Sequence, residues 1–370
     1  MPMKPEQSSQ VKPWILWTAL FALLALGFHV IVESAVQLVF AKRSGIWRQF
    51  EEFREKAGND GSSLEQFARK AGLDPYLGWG KSEARVHEPP PGQAKSRTVL
   101  FVGDSVTAGH DVQGGVEDYP ALLAAKLGGQ GVKIVNLAAR GYGVDQMWLK
   151  LLTAAGSYRP DAIVLAYIPH DLIRPATNFN FGLPKPRFNF AGVRANLNLA
   201  ENITDYIAEY ESARSMFHLS DWYVSHYWTN KEYYAPSLFT GYYGQLYRHI
   251  GEGLAKLSHE WGIPVIVVKL TNQYAFGARD RLITLAASGL VRPSGWDKAD
   301  VRYVDTDNCV VAKGKAEGVD LAKEFAHHPG PAGHRLLAEC LEPFIDAAWR
   351  KPRLLAGLAS APPTPMAPLF

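Results

Sequence analysis

The sequence predicts an α/β domain, a parallel sheet with helices on both faces, preceded by one membrane-spanning helix. Four short, unbroken apolar runs, at residues 99–102, 132–135, 162–166 and 264–268, read as strands buried on both sides. Helix-length segments lie between them, at residues 120–127, 146–155 and 244–261, and such alternation builds parallel sheets. A third feature is an uncharged apolar stretch at residues 14–32.

That stretch comes first in the chain. About 20 apolar residues at 1.5 Å each cross a hydrocarbon core of about 30 Å. Trp14 and Trp17 stand where aromatic rings anchor at the interface, Lys4 and Lys12 precede the run, and Lys42, Arg43 and Arg48 follow it. A cleaved signal peptide is the alternative, but Val32-Glu33-Ser34 makes a poor cleavage site and the run is long. The expected order is a short cytoplasmic tail (1–13), a signal-anchor helix (14–40), and a juxtamembrane segment with a Pro-rich linker (41–96). An α/β domain (97–350) with an aromatic-rich insertion at about 178–247 follows, closed by a helix over 333–349 and a Pro/Ala-rich tail (351–370). Such a chain is single-pass, with the α/β domain in the periplasm or outside the cell.

Composition narrows the function. Of the 370 residues 47% are apolar, which rules out a disordered chain, and 39 basic against 36 acidic residues leave a net charge of only +3. No Lys/Arg block marks a nucleic-acid surface, so no nucleic-acid partner is expected. Cys309 and Cys340 are too few for a disulfide framework or a four-cysteine zinc site. They form either one bridge in an oxidising compartment or two reduced thiols. No carboxylate/His spacing marks a metal and no Gly-rich phosphate loop is present, so neither metal nor cofactor is expected.

Chemistry gathers at strand ends. The first buried strand runs straight into Gly103-Asp104-Ser105, where glycine permits a tight turn and a following helix start aims backbone N–H groups at the serine. A serine so placed attacks an acyl carbon when a base takes its proton and donors hold the oxyanion; otherwise it is an N-cap. Far along the chain, His328-Pro329-Gly330-Pro331-Ala332-Gly333-His334 leads into an amphipathic helix. Either His328 is held rigidly toward a cleft or the stretch is a helix-entry loop.

Together these blocks resemble the SGNH, or GDSL-type, hydrolases, in the branch tethered by one N-terminal helix. Gly103-Asp104-Ser105 matches the first block, and Asn136-Leu137-Ala138-Ala139-Arg140-Gly141-Tyr142-Gly143, followed by Asp145-Gln146, matches the second. Arg159-Pro160-Asp161 with its strand and then Ile168-Pro169-His170-Asp171 matches the third, and the His328 loop the fifth. Asp74-Pro75-Tyr76-Leu77-Gly78-Trp79 is similar to the branch's juxtamembrane segment. The resemblance implies a three-layer, flavodoxin-like SGNH sheet. It implies Ser105 as nucleophile, His328 as general base and then acid, and an oxyanion hole of the Ser105 and Gly141 backbone N–H groups. Asn136 either braces the Gly141 loop or is a buried turn asparagine, and Asp104, Asp171 and His334 read as structural hydrogen-bonding residues.

Two positions depart from the family pattern. His170 stands where the family has the asparagine that donates the third oxyanion bond; it either substitutes with an imidazole N–H, sensitive to pH, or leaves two donors. The acid that orients the histidine normally lies two or three residues before it, where this chain has Ala326 and Phe325. The nearest carboxylate is Glu324, the candidate third member; a backbone carbonyl is the alternative. In the insertion, aromatic residues from Phe179 to Tyr243 either pack a subdomain core or flank a glycan. The family implies an esterase acting on O-acyl, chiefly O-acetyl, esters of a small molecule or an envelope polysaccharide. The same site would serve an O-acyltransferase, and a non-catalytic anchored glycan-binding scaffold is the reading from a different class.

Overall fold

Apolar strands alternating with amphipathic helices assemble a six-stranded sheet in the computed structural model. It describes residues 12–40, 54–63, 66–67, 70, 74, 77–78, 84–92, 97–113, 116–172, 174–176, 179–180, 183–185, 242–276, 296 and 301–349. Most of the expected aromatic insertion, and the tail after residue 350, lie outside the described residues.

Helix α1 (Pro13–Phe40) contains a segment, Pro13–Val32, long and apolar enough to cross a membrane. Trp14, Trp17, Phe21 and Phe28 are each at least 63% exposed, so nothing described in the protein covers this apolar surface. The sheet comprises β1 (Arg85–His87), β2 (Arg97–Gly103), β3 (Val132–Asn136), β4 (Ala162–Tyr167), β7 (Val265–Lys269) and β8 (Val301–Asp305). Its order is β1-β3-β2-β4-β7-β8, with β1 antiparallel to β3 and all other pairs parallel. A separate two-residue pair, β5 (Phe179–Asn180) and β6 (Leu183–Pro184), opens the insertion.

Four of the six strands coincide with the apolar runs. The other two had no such signal: β1 is three residues long, and the edge strand β8 (Val-Arg-Tyr-Val-Asp) exposes Arg302 and Asp305, so its apolar pattern is broken. Side chains along β2 divide between the faces. Leu100 and Val102 pack with Trp148 of α3 (Val144–Tyr158) and Leu254 of α4 (Tyr242–Trp261). Val99 and Phe101 pack with Leu123 of α2 (Tyr119–Leu127) and Leu337 of α7 (Pro331–Trp349). Burial on both faces is why these strands read as unbroken apolar runs.

Numbered by chain order, the parallel strands run 2-1-3-4-5 across the sheet, so the path reverses between β2 and β4. The crevice beyond the carboxyl ends of two such strands is where ligands sit in open α/β sheets. On the face bearing α7, a disulfide between Cys309 and Cys340 joins α5 (Asp307–Ala316) to α7, with the short α6 (Leu321–Glu324) between them.

Candidate active site

The β2 strand ends at Gly103, a position where nothing larger fits. A Cβ there would lie 2.3 Å from Thr107 Oγ1 and 2.9 Å from the Ala166 carbonyl oxygen of the adjacent β4. The chain then makes one turn, with the Ala108 amide donating to the Asp104 carbonyl and the His110 amide to the Ser105 carbonyl. A helix directly after the serine was expected; the structure has only this turn, and α2 begins at Tyr119. Ser105 is left just beyond the carboxyl end of this central strand, 5% exposed.

Two partners approach it. Ser105 Oγ lies 3.0 Å from His328 Nε2 and 3.3 Å from Asp104 Oδ2. On the far side of the ring, His328 Nδ1 is 3.0 Å from Asp111 Oδ2. A carboxylate only accepts, so that pairing places the ring proton on Nδ1 and leaves the Nε2 lone pair for the serine. The residue facing His328 Nδ1 is therefore Asp111, and the expectation of Glu324 is corrected. Glu324 Oε1 instead accepts the Gly333 amide at 2.7 Å, satisfying one of the open N–H groups in the first turn of α7.

Asp111 reaches the ring because its backbone is left-handed, φ 68°, a region that non-glycine residues enter at a cost. Burial is the largest single influence and opposes its charge, but the His328 hydrogen bond together with the charges of His110, His328 and Arg140 outweighs it, so its carboxyl lies below the usual range. It is ionised wherever His328 needs an acceptor. A weak signal existed in the sequence: Gly109-His110-Asp111 closes the single turn after Ser105.

The remaining site residues are tied together across three strand ends. Asn136 Nδ2 donates to the Thr107 carbonyl at 2.8 Å while its Oδ1 accepts the Ala138 amide at 3.0 Å, joining the serine turn to the β3 loop. Gly141 in that loop has φ 76°, the left-handed region glycine enters freely. Arg174 donates to the Tyr142 carbonyl at 2.7 Å and pairs with Asp171 Oδ1, whose Oδ2 accepts the Ile168 amide at 2.9 Å. This clasp holds the β3 loop against the turn after β4, which carries His170. Farther back, Gln146 Nε2 donates to the Leu77 carbonyl at 2.7 Å, fixing the chain around Leu77 to α3.

Burial sets the charges here. Asp104 is pushed up by burial, with Arg174 opposing, and Asp171 is pushed well up by burial and by Asp104. Desolvation and then Arg174 lower His170 to about 4. His170 is thus neutral near pH 7 and offers a single N–H. The pH sensitivity expected of it moves to acid.

His334 is fully buried, accepts the Tyr119 amide on Nδ1 at 3.2 Å, and is lowered to about 4, mainly by desolvation. Its folded value lies below the unfolded one of about 6.5, so the unfolded chain binds the extra proton between the two. Stability from this group is complete above pH 6.5 and is lost as the pH falls toward 4. Between pH 7 and pH 5 the loss is about 2 kcal/mol. Denaturant unfolding at the two pH values is expected to show that loss shrinking in His334→Gln; an unchanged difference would remove His334 as its source.

A serine, an imidazole and a carboxylate in series, at the carboxyl edge of a doubly wound sheet, define an arrangement suited to acyl transfer. Among solved structures the chain is similar to TesA (16% identity, TM-score 0.40, covering 68% of this chain and 99% of that one). It is also similar to a catalytic mutant of Axe2, an acetylxylan esterase from Geobacillus stearothermophilus (15%, 0.42, 70% and 99%). A third is the acetyl xylan esterase AlAXEase (14%, 0.38, 67% and 99%). No protein-family model and no curated protein matches the chain.

Proposed function

We propose that the protein is a membrane-anchored serine esterase of the SGNH type, forming an acyl-enzyme on Ser105. The observation that carries this is the chain Ser105 Oγ–His328 Nε2–His328 Nδ1–Asp111 Oδ2, with both polar contacts at 3.0 Å. Ser105 Oγ attacks the acyl carbon as its proton passes to His328 Nε2, and Asp111 steadies the imidazolium. The oxyanion is held by the Ser105 and Gly141 backbone N–H groups, with a neutral His170 as third donor. Collapse releases the alcohol, which takes the proton from His328, and water then cleaves the acyl-enzyme by the same path.

The O-acyl substrate is an acetyl ester, of a small molecule or an envelope polysaccharide; the aromatic-rich sequence of the insertion suits a sugar rim. Helix α1 is a single-pass anchor with the short N-terminal tail in the cytoplasm. The Cys309–Cys340 pairing supports a domain on the oxidising side.

The test uses the full chain in detergent, p-nitrophenyl acetate as donor and an added oligosaccharide as acceptor. Acetate released in step with nitrophenol, together with a fluorophosphonate adduct mapped to Ser105, is the expected result. Acetyl found mainly on the oligosaccharide would replace hydrolysis with O-acyl transfer. No adduct and no turnover would leave the non-catalytic scaffold.

A further inference from the structure

Three ligand-bearing side chains converge on the outer side of the His328 ring, and one of them, His110, has no part in the mechanism above. We propose that His110, Asp111 and His328 form a binding site for a divalent transition metal, Zn²⁺ above all, whose occupancy switches the esterase off.

One ligand atom from each of the three residues lies within 4.8 Å of the other two. His328 Nδ1 is 3.0 Å from Asp111 Oδ2, and His110 Nδ1 is 3.2 Å from Asp111 Oδ1. Ligands of a tetrahedral zinc stand roughly 3.3 Å apart, and each histidine nitrogen already stands near that spacing from one oxygen of the Asp111 carboxylate, His328 from Oδ2 and His110 from Oδ1. The imidazoles face each other with centroids 4.6 Å apart and planes tilted by 54°. Consecutive side chains ordinarily diverge; the left-handed backbone at Asp111 turns both His110 and Asp111 toward His328.

The donor set matches a cation of a particular class. The Asp111 amide donates to His110 Nδ1 at 3.1 Å, so that nitrogen is an unprotonated acceptor whose lone pair a metal would take in place of the amide. Two imidazoles and one carboxylate suit zinc, cobalt or nickel rather than magnesium or calcium, which take oxygen ligands. With side chains 35%, 55% and 26% exposed for His110, Asp111 and His328, the ion enters from solvent and keeps a water in its fourth position.

The consequence for catalysis rests on the reading of His328 as general base. Metal on Nδ1 takes the lone pair there, and the one proton of the neutral ring moves to Nε2, facing Ser105. The ring then donates to the serine and cannot accept its proton, while Asp111 is drawn onto the metal. The Nδ1–H bond breaks and an Nε2–H bond forms as the metal–nitrogen bond is made, so no net proton is released.

Titration calorimetry of the full chain in detergent with ZnCl₂ tests binding, and p-nitrophenyl acetate turnover tests inhibition. The expected result is one site whose Kd rises at least tenfold in His110→Ala and in Asp111→Asn, with the zinc inhibition constant of His110→Ala rising by the same factor. Equal zinc affinity in wild type and both variants, with unfolding temperatures matched, would overturn the site. Zinc bound with His110-dependent affinity but without inhibition would overturn the switch. Should the protein prove inactive on esters, calorimetry alone still decides whether the site exists, which keeps the two proposals separable.

Discussion

Replacing Ser105 by Ala, or His328 by Ala, is expected to lower kcat for p-nitrophenyl acetate by on the order of 10³ or more. In free energy that is at least about 4 kcal/mol of transition-state stabilisation. The serine variant removes the nucleophile; the histidine variant leaves a hydroxyl whose nearest acceptor is Asp104 Oδ2 at 3.3 Å. Asp104 is a poor replacement base, since burial favours its neutral form and it cannot pass the proton on to the leaving alcohol from a position fixed by the Val106 amide. Because serine and imidazole act as one unit, the double variant should lose little more than either single one. Steady-state kinetics on the full chain, with circular dichroism to confirm folding, gives the answer. Equal rates in wild type and both single variants would remove the acyl-enzyme mechanism altogether.

Asp111→Asn is expected to lower kcat on the order of 10²–10³ while KM changes only a few-fold, because Asp111 touches the ring and not the ester. An amide in place of the carboxylate can present an N–H to Nδ1, which moves the ring proton to Nε2 and turns the base away from the serine. The effect is set below that of a buried triad aspartate because the Asp111 side chain is 55% exposed and water shares its charge. Glu324→Gln makes the opposite forecast. Its amide oxygen still accepts the Gly333 N–H, so kcat should stay within a few-fold. Glu324→Ala leaves that N–H at the start of α7 unpaired and should cost about 1 kcal/mol of stability. A collapse of kcat in Glu324→Gln with Asp111→Asn unaffected would return the orienting role to Glu324.

The misassignment of the acid has a local cause. Spacing along the chain pointed to Glu324 as the carboxylate nearest before His328, but the turn between them folds that side chain beneath the loop. A Cβ on Gly330 would lie only 2.6 Å from Glu324 Oε1. Unsatisfied amides at a helix start compete for any nearby carboxylate, and here the helix holds it. At His170 the sequence showed an imidazole in place of an amide, but not the desolvation that lowers it to about 4.

What the sequence by itself determined was whatever follows from local pattern and short-range sterics. Four central strands announced themselves because burial on both faces demands unbroken apolar runs, α1 by its length without charge, and the serine turn by a glycine that must precede it. Ser105 and His328 were legible as blocks of characteristic residues, though 223 positions apart. Only the tertiary structure decided which carboxylate meets the ring, that Cys309 pairs with Cys340, and that His110 stands beside Asp111 and His328. Those outcomes depend on where turns place side chains in space and on how much water remains around them. Neither quantity is written in the spacing of residues along a chain.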